Sequence, residues 1–220
     1  MAFQSTYASP CAQRLEDGVA WKALAWVERL EALLLLLLLA PVLSVTGVVI
    51  FALSRRSPLV AHRRVGLRGR PFWTLKFRTM WLSRGPAHFA LIERVVEDPG
   101  PDLKAAADPR VTSRFAQFCR RYSIDEVPQL VNVVRGEMAL VGPRPLTRDE
   151  MRMHYAGDAP EVLAVKPGIT GLWQVMGRSR LTYPQRRRLD LFLVRKRSAR
   201  LYCAILLRTL PEVLAGRNSW

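Results

Sequence analysis

Ala32-Leu33-Leu34-Leu35-Leu36-Leu37-Leu38-Leu39-Ala40-Pro41-Val42-Leu43-Ser44-Val45-Thr46-Gly47-Val48-Val49-Ile50-Phe51-Ala52-Leu53 contains seven successive leucines and no charged side chain. At about 22 residues it has the length of a bilayer-crossing helix, and soluble core helices seldom stay apolar on every face for so long. A cleavable signal peptide has a basic start, a shorter apolar core and a small-residue cleavage site. This run begins late and follows Glu28, Arg29 and Glu31, so it reads as a retained anchor. Pro41 removes a helical hydrogen bond and its ring clashes with the carbonyl of Leu37, which predicts a kink. A sharp break leaves two arms of about ten residues, each roughly 15 Å long, enough to reach mid-bilayer and return. A mild break leaves a spanning helix, and the residues of the run admit both.

Outward from the run, the C-terminal flank carries Arg55, Arg56, Arg63, Arg64, Arg68 and Arg70. The positive-inside tendency then places the larger C-terminal part in the cytoplasm. On the other flank, Arg14, Lys22 and Arg29 balance Glu16, Asp17, Glu28 and Glu31 and give no direction. The chain divides into an N-terminal segment 1–31, a membrane segment 32–55 and a cytosolic domain 56–220. Across its 220 residues, 34 Lys and Arg face 18 Asp and Glu, a formal charge of +16. Such an excess implies an anionic partner: nucleic acid, phospholipid headgroups or phosphorylated substrates. Cys11, Cys119 and Cys203 are odd in number and far apart, which suggests neither a disulfide framework nor a zinc site. His62, His88 and His154 are equally scattered.

The fold expected is α+β and mainly helical. Leu59 to Val65 and Phe72 to Thr79, joined by a Gly/Pro-rich turn, predict a β-hairpin. Period 2 in the second strand puts Thr74, Lys76 and Arg78 on one cationic face and Leu75 with Phe77 on the other. Helices are expected over Trp81 to Val96, Thr112 to Tyr122, Leu146 to Tyr155, Tyr183 to Lys196 and Ala199 to Leu214.

Three stretches could carry chemistry. In Arg120-Arg121-Tyr122-Ser123-Ile124-Asp125-Glu126-Val127-Pro128-Gln129, the Ser123/Glu126 spacing fits a capping box. The same residues offer adjacent carboxylates beside arginines, where an anion and a divalent cation can meet. In Gly142-Pro143-Arg144-Pro145, two prolines hold Arg144 on a stiff extended backbone, which suits a phosphate clamp or a rigid surface loop. In Val165 to Gln174 the glycines suggest tight turns, and Trp173 is an aromatic that could stand exposed.

Together with Arg64-Val65-Gly66, Lys76-Phe77-Arg78-Thr79-Met80 and Leu140-Val141, these stretches resemble the monotopic phosphoglycosyl transferases, a bacterial sugar transferase family, from Leu33 to Gly216. The resemblance implies a re-entrant membrane helix, amphipathic interfacial helices and a cytosolic domain at the bilayer surface. It implies transfer of a sugar-1-phosphate from a nucleotide diphosphate-sugar, usually a UDP-sugar, to polyprenyl phosphate, which primes surface glycan synthesis. In that scheme Asp125 is the nucleophile that becomes phosphosugar-modified, nucleoside monophosphate leaves, and Asp125 and Glu126 hold Mg2+. Lys76, Arg78, Arg120 and Arg144 are the expected substrate-binding cations. Asp190 matches a further acidic position, a solvated helix-face carboxylate being the alternative. The expected partners are these two substrates and membrane lipids, not nucleic acid; a homodimer is one assembly the resemblance allows. The chain departs from the family in having Ala40 rather than Ser before Pro41, and in the basic Arg195-Lys196-Arg197 where an acidic and aromatic stretch is common. The rival reading, a membrane-tethered basic scaffold or nucleic-acid binder without catalysis, rests on charge alone.

Overall fold

Leucine favours helix, and the apolar run lies inside one helix, α1 (Val19–Ser54), which continues through Pro41. Arg55 ends it in the left-handed conformation (φ 52°), its N–H returning to the Phe51 carbonyl. The computed structural model describes residues 18–80, 91–95, 111, 113–177 and 180–216. Along α1 the covered residues form one stripe: Glu28, Ala32, Thr46 and Ile50 are buried, and Leu36, Leu39 and Leu43 are partly covered. Leu37, Leu38, Pro41, Val42 and Val45 are exposed. Only 11% of the most apolar window is buried, so α1 is not the core helix of a soluble domain. Ala32 and Leu36 pack with Phe72, Leu130, Val133 and Met138, whereas Gly47 faces Phe77 and Pro58. Both ends of the apolar run therefore rest on the folded domain, and its middle is exposed on the side away from this stripe.

β1 (Leu59–Val65) and β2 (Pro71–Phe77) form the expected antiparallel hairpin, in register from Leu59 opposite Phe77 to Val65 opposite Pro71. The turn between them uses Arg68 (φ 56°) and Gly69 (φ 76°). β3 (Ile92–Val95) pairs in parallel with β1, giving the order β2-β1-β3. This corrects the helix expected over Trp81 to Val96: residues 92–95 are strand, and 81–90 and 96 lie outside the described residues. The free edge of β1 captures the β-branched Ile92 and Val95, a nonlocal pairing that overrides local propensity.

The expected cationic face of β2 is also corrected. Phe72, Thr74, Leu75 and Phe77 are all buried, so both faces of the strand are covered. Lys76 reaches across to Glu126. Arg78, just past the strand, is internal: its Nε donates to the Ser57 carbonyl and its Nη2 pairs with Glu93.

The rest of the domain is built from short helices around a two-stranded parallel sheet. α2 (Arg114–Arg121), N-capped by Ser113, precedes a 3-10 segment (Ile124–Gln129) that runs into α3 (Leu130–Val134). β4 (Ala139–Val141) and β5 (Gly168–Thr170) pair side by side. Between them come α4 (Arg148–Glu150), started by a Thr147/Glu150 capping box, a π-helical turn (Met151–Tyr155) and α5 (Ala159–Val162). α6 (Leu172–Met176), α7 (Tyr183–Arg195) and α8 (Ala199–Ala215) complete the chain. The helices expected near 112–122, 183–196 and 199–214 are present, and the one over 146–155 is broken into short pieces.

Two buried polar side chains lock these parts. Glu28 on α1 accepts from the Leu140 N–H (2.8 Å) and the Tyr202 hydroxyl (2.6 Å), joining α1, β4 and α8. Asn132 on α3, with no exposed surface, accepts from the Leu75 N–H (3.2 Å) and donates to the Trp73 carbonyl and Glu137 (both 2.7 Å). Replacing it strands several groups in the interior. Asn132→Ala is therefore expected to lower stability by on the order of 3 kcal/mol, read as a shift in thermal or denaturant midpoint. An unshifted midpoint would show that α3 and β2 are held together by apolar contact alone.

Candidate functional site

The residue preceding the acidic pair decides its presentation. Ser123 adopts the left-handed conformation (φ 55°), and its side chain makes no capping hydrogen bond. This corrects the capping-box expectation: the Ser123 carbonyl, not its hydroxyl, receives the Glu126 N–H at 3.0 Å. With the chain in a 3-10 turn, Glu126 points its Oε1 at the Lys76 ammonium, 2.7 Å away on β2. The Asn132 clamp grips the strand at residues 73 and 75, beside Lys76, and so sets the register of this contact.

Asp125 is crowded by protein atoms at its carboxyl, though the residue as a whole is only half-buried. Burial first, and then the negative charge of Glu126, hold its pKa above the usual carboxylate range; Lys76 and Arg120 pull it partly back. The sequence-expected Asp125, Glu126, Lys76 and Arg120 are thus brought together. Cys119 also lies close, but burial, reinforced by Asp125, pushes its thiol up to about 11, so it stays protonated and is a poor nucleophile. The Arg78 guanidinium is engaged by Glu93 on β3.

Arg144 belongs to a second group. Its loop is set by close backbone approach rather than by tight turns: the Gly142 N–H bonds the Thr170 carbonyl and the Gly168 N–H the Pro143 carbonyl, both at 2.9 Å. A Cβ on Gly168 would lie 2.0 Å from the Gly142 nitrogen, so the two glycine-bearing motifs can meet only without side chains. Trp173, expected to be exposable, is 6% exposed and lies against the Arg144 guanidinium, 5.0 Å from the ring centroid.

Asp190 is fully buried and not on a solvated face. It accepts from the Tyr155 hydroxyl at 2.8 Å and from the Arg144 backbone N–H. Burial pushes its carboxyl up to about 7, opposed by Tyr155 and Arg144. Its place is beneath the arginine loop. Glu150 accepts from the Thr147 N–H and the Tyr183 hydroxyl and faces Arg64 at 3.5 Å, with Arg144 the largest influence holding its pKa down against burial.

Asn132, Glu150, Tyr155 and Arg186 were missed in the sequence reading. For Asn132 a signal exists: a lone amide inside Leu130-Val131-Asn132-Val133-Val134 is costly to bury unless it is fully hydrogen-bonded. Among the described residues, no group of three or more His, Cys, Asp or Glu gathers as a protein-only metal cage. Asp125 and Glu126 are the residues that could hold magnesium, an ion commonly bound by one or two carboxylates together with substrate phosphates. The charge of Glu126 raises the proton affinity of Asp125, an electrostatic setting that a dication would relieve.

Titration of Asp125 tests the described electrostatics. Lys76→Met should raise its pKa further and Glu126→Gln should lower it, measured by carbon-13 NMR of labelled carboxylates. Equal values in all three proteins would mean that burial alone sets the proton affinity.

With this geometry in view, the chain can be set beside known proteins. It is 43% identical over 191 residues to the UDP-galactose-lipid carrier transferase of Erwinia amylovora, covering 83% of this chain but 38% of that protein. It is 38% identical over 196 residues to the exopolysaccharide production protein ExoY of Sinorhizobium fredii, covering 87% of this chain and 85% of the relative. The UDP-glucose:undecaprenyl-phosphate glucose-1-phosphate transferase of Caulobacter vibrioides is 37% identical over 201 residues, 86% of this chain and 68% of that one. The sequence profile of the bacterial sugar transferases matches residues 21–216, and the chain belongs to that family.

Proposed function

We propose that the protein transfers a sugar-1-phosphate from a nucleoside diphosphate-sugar, most simply a UDP-sugar, to polyprenyl phosphate, and so primes a surface glycan. The observation that carries this reading is Asp125 itself: a crowded carboxylate beside Glu126, flanked by Lys76 and Arg120. The printed names of the relatives, which include transfer of glucose-1-phosphate from UDP-glucose to undecaprenyl phosphate, support the same chemistry.

In the proposed reaction an Asp125 oxygen attacks the phosphorus next to the sugar. The bond from that phosphorus to the bridging oxygen breaks, its electron pair leaves with the nucleoside monophosphate, and a phosphosugar remains on the carboxylate. An oxygen of polyprenyl phosphate then attacks the same phosphorus and frees Asp125. Covalent catalysis by a carboxylate needs an anionic nucleophile and positive charge around the crowded phosphoryl centre. Lys76 and Arg120 supply charge at the dyad, and Arg144 supplies a planar fork suited to phosphate oxygens. Magnesium, when held by Asp125 and Glu126, adds further charge stabilisation there. The raised pKa of Asp125 favours the protonated form at low pH, so activity at limiting magnesium should fall on acidification from above the ordinary carboxylate range.

For the membrane segment we favour a re-entrant arrangement on the cytoplasmic face of the inner membrane, which requires α1, continuous through Pro41 in this structure, to bend there. Ala32 at one end of the apolar run and Gly47 with Ile50 at the other meet the domain, while Leu37, Leu38, Val42 and Val45 beside Pro41 are exposed. A helix crossing the bilayer would carry one of those ends away from the domain.

Two experiments test this reading. Asp125→Asn keeps the side-chain shape but removes the nucleophile, so transfer should fall to background in a folded protein. Wild-type protein given donor alone should release nucleoside monophosphate in an amount no larger than the enzyme present; release only when acceptor is added would point to direct displacement. For topology, a cysteine placed before α1 should resist an impermeant thiol reagent in intact cells, and labelling there would establish a spanning helix.

A further inference from the structure

Arg144 does not stand alone against Trp173. The Arg186 guanidinium carbon lies 5.1 Å from the same ring centroid and 5.4 Å from the Tyr183 ring, which in turn stacks on His154 at 3.8 Å. The result is an alternating column of His154, Tyr183, Arg186, Trp173 and Arg144. Its two guanidinium groups share one indole, so like charges are held close together in a poorly solvated place. Arg186 is 6% exposed, and burial, followed by the charge of Arg144, opposes its protonated form.

The column's donors are not satisfied internally. The Nε atoms of Arg144 and Arg186 and the indole Nε1 of Trp173 are buried with no hydrogen-bond partner among the described residues. Neither carboxylate of the neighbourhood is hydrogen-bonded to the Arg144 or Arg186 side chain. Glu150 serves Thr147, Tyr183 and Arg64; Asp190 serves Tyr155 through Oδ2, and its Oδ1 has no partner. Arg64, Arg144 and Arg186 thus outnumber the two carboxylates, and burial favours the neutral form of Asp190. Buried cations with unmet donors are costly unless an anion completes them. Arg144 is part-exposed, so the column opens to solvent at that end.

We propose that Arg186, acting with Arg144 across Trp173, forms a two-arginine cradle for a doubly charged phosphate group. Guanidinium groups stacked on an aromatic face keep their in-plane N–H edges available, and those edges match phosphate oxygens. Two sources share this chemistry: the monophosphate end of the polyprenyl acceptor and the nucleoside monophosphate that leaves. The assignment rests on the reading that the protein handles phosphate esters.

The test uses full-length protein in lipid nanodiscs, with inorganic phosphate, uridine monophosphate and a short-chain polyprenyl monophosphate as separate probes. In Arg186→Gln, affinity for at least one probe should fall about tenfold or more, as for loss of a charge-assisted hydrogen bond. The thermal midpoint without ligand should hold or rise, because a like-charge contact has been removed; a purely structural role would lower it. Weakening confined to uridine monophosphate assigns the cradle to the leaving group, and weakening confined to the lipid phosphate assigns it to the acceptor. Arg186→Lys, which keeps charge but not the fork, carries the test if the first variant does not fold. Unchanged affinity for all three probes in either folded variant overturns the cradle. Asp125-dependent transfer is measured on the wild type in parallel, so a failed cradle with intact transfer is distinguished from a failed functional reading.

Discussion

The Asn132 side chain is the contact on which the site depends. Its amide bonds the backbone of β2 on either side of Thr74, and the helix that carries it follows directly on the acidic turn. One buried residue thereby fixes the distance between two segments that are far apart in sequence. Lys76 meets Glu126 at 2.7 Å because the strand cannot slide. A one-residue slip of β2 would send the lysine to the opposite face, since side chains alternate along a strand.

The same principle recurs in the other group. Gly142 and Gly168 let two backbones approach as side chains would not allow, and Asp190 receives the Arg144 N–H from below. Arg144 is thus constrained by its prolines, by a buried carboxyl and by the Trp173 ring. An arginine held in this way loses little further freedom when it meets an anion, which is the physical meaning of preorganisation. The stiff Pro-Arg-Pro backbone is one part of that device and the distant partners are the rest.

Legibility in the sequence followed the range of the interactions. The β1/β2 hairpin could be read because two short apolar-rich segments are joined by a turn containing Gly66, Gly69 and Pro71. β3 could not, since Ile92 to Val95 become a strand only by pairing with residues some thirty positions earlier. Ser123 satisfies the capping-box spacing, yet its positive φ, invisible in composition, turns its backbone rather than its hydroxyl toward Glu126. Asp190 resembles a surface residue until Tyr155 and the Arg144 loop fold over it. Glu28 counts in the sequence only as one of a balanced set of charges flanking the apolar run, but it is 5% exposed and bonded to Leu140 and Tyr202. The acidic pair and Arg144 were recognisable because each lies in a short contiguous motif.

The proposed role of Asp125 as the phosphosugar acceptor can be examined on the protein itself. Proteolysis after brief incubation with donor, followed by mass spectrometry, reads the modified peptide directly. A sugar-phosphate mass on the peptide containing Asp125, absent in Asp125→Asn and lost on adding polyprenyl phosphate, is the expected result. An unmodified Asp125 peptide in protein that is actively turning over both substrates, under quench conditions that preserve acyl phosphates, would contradict the covalent route.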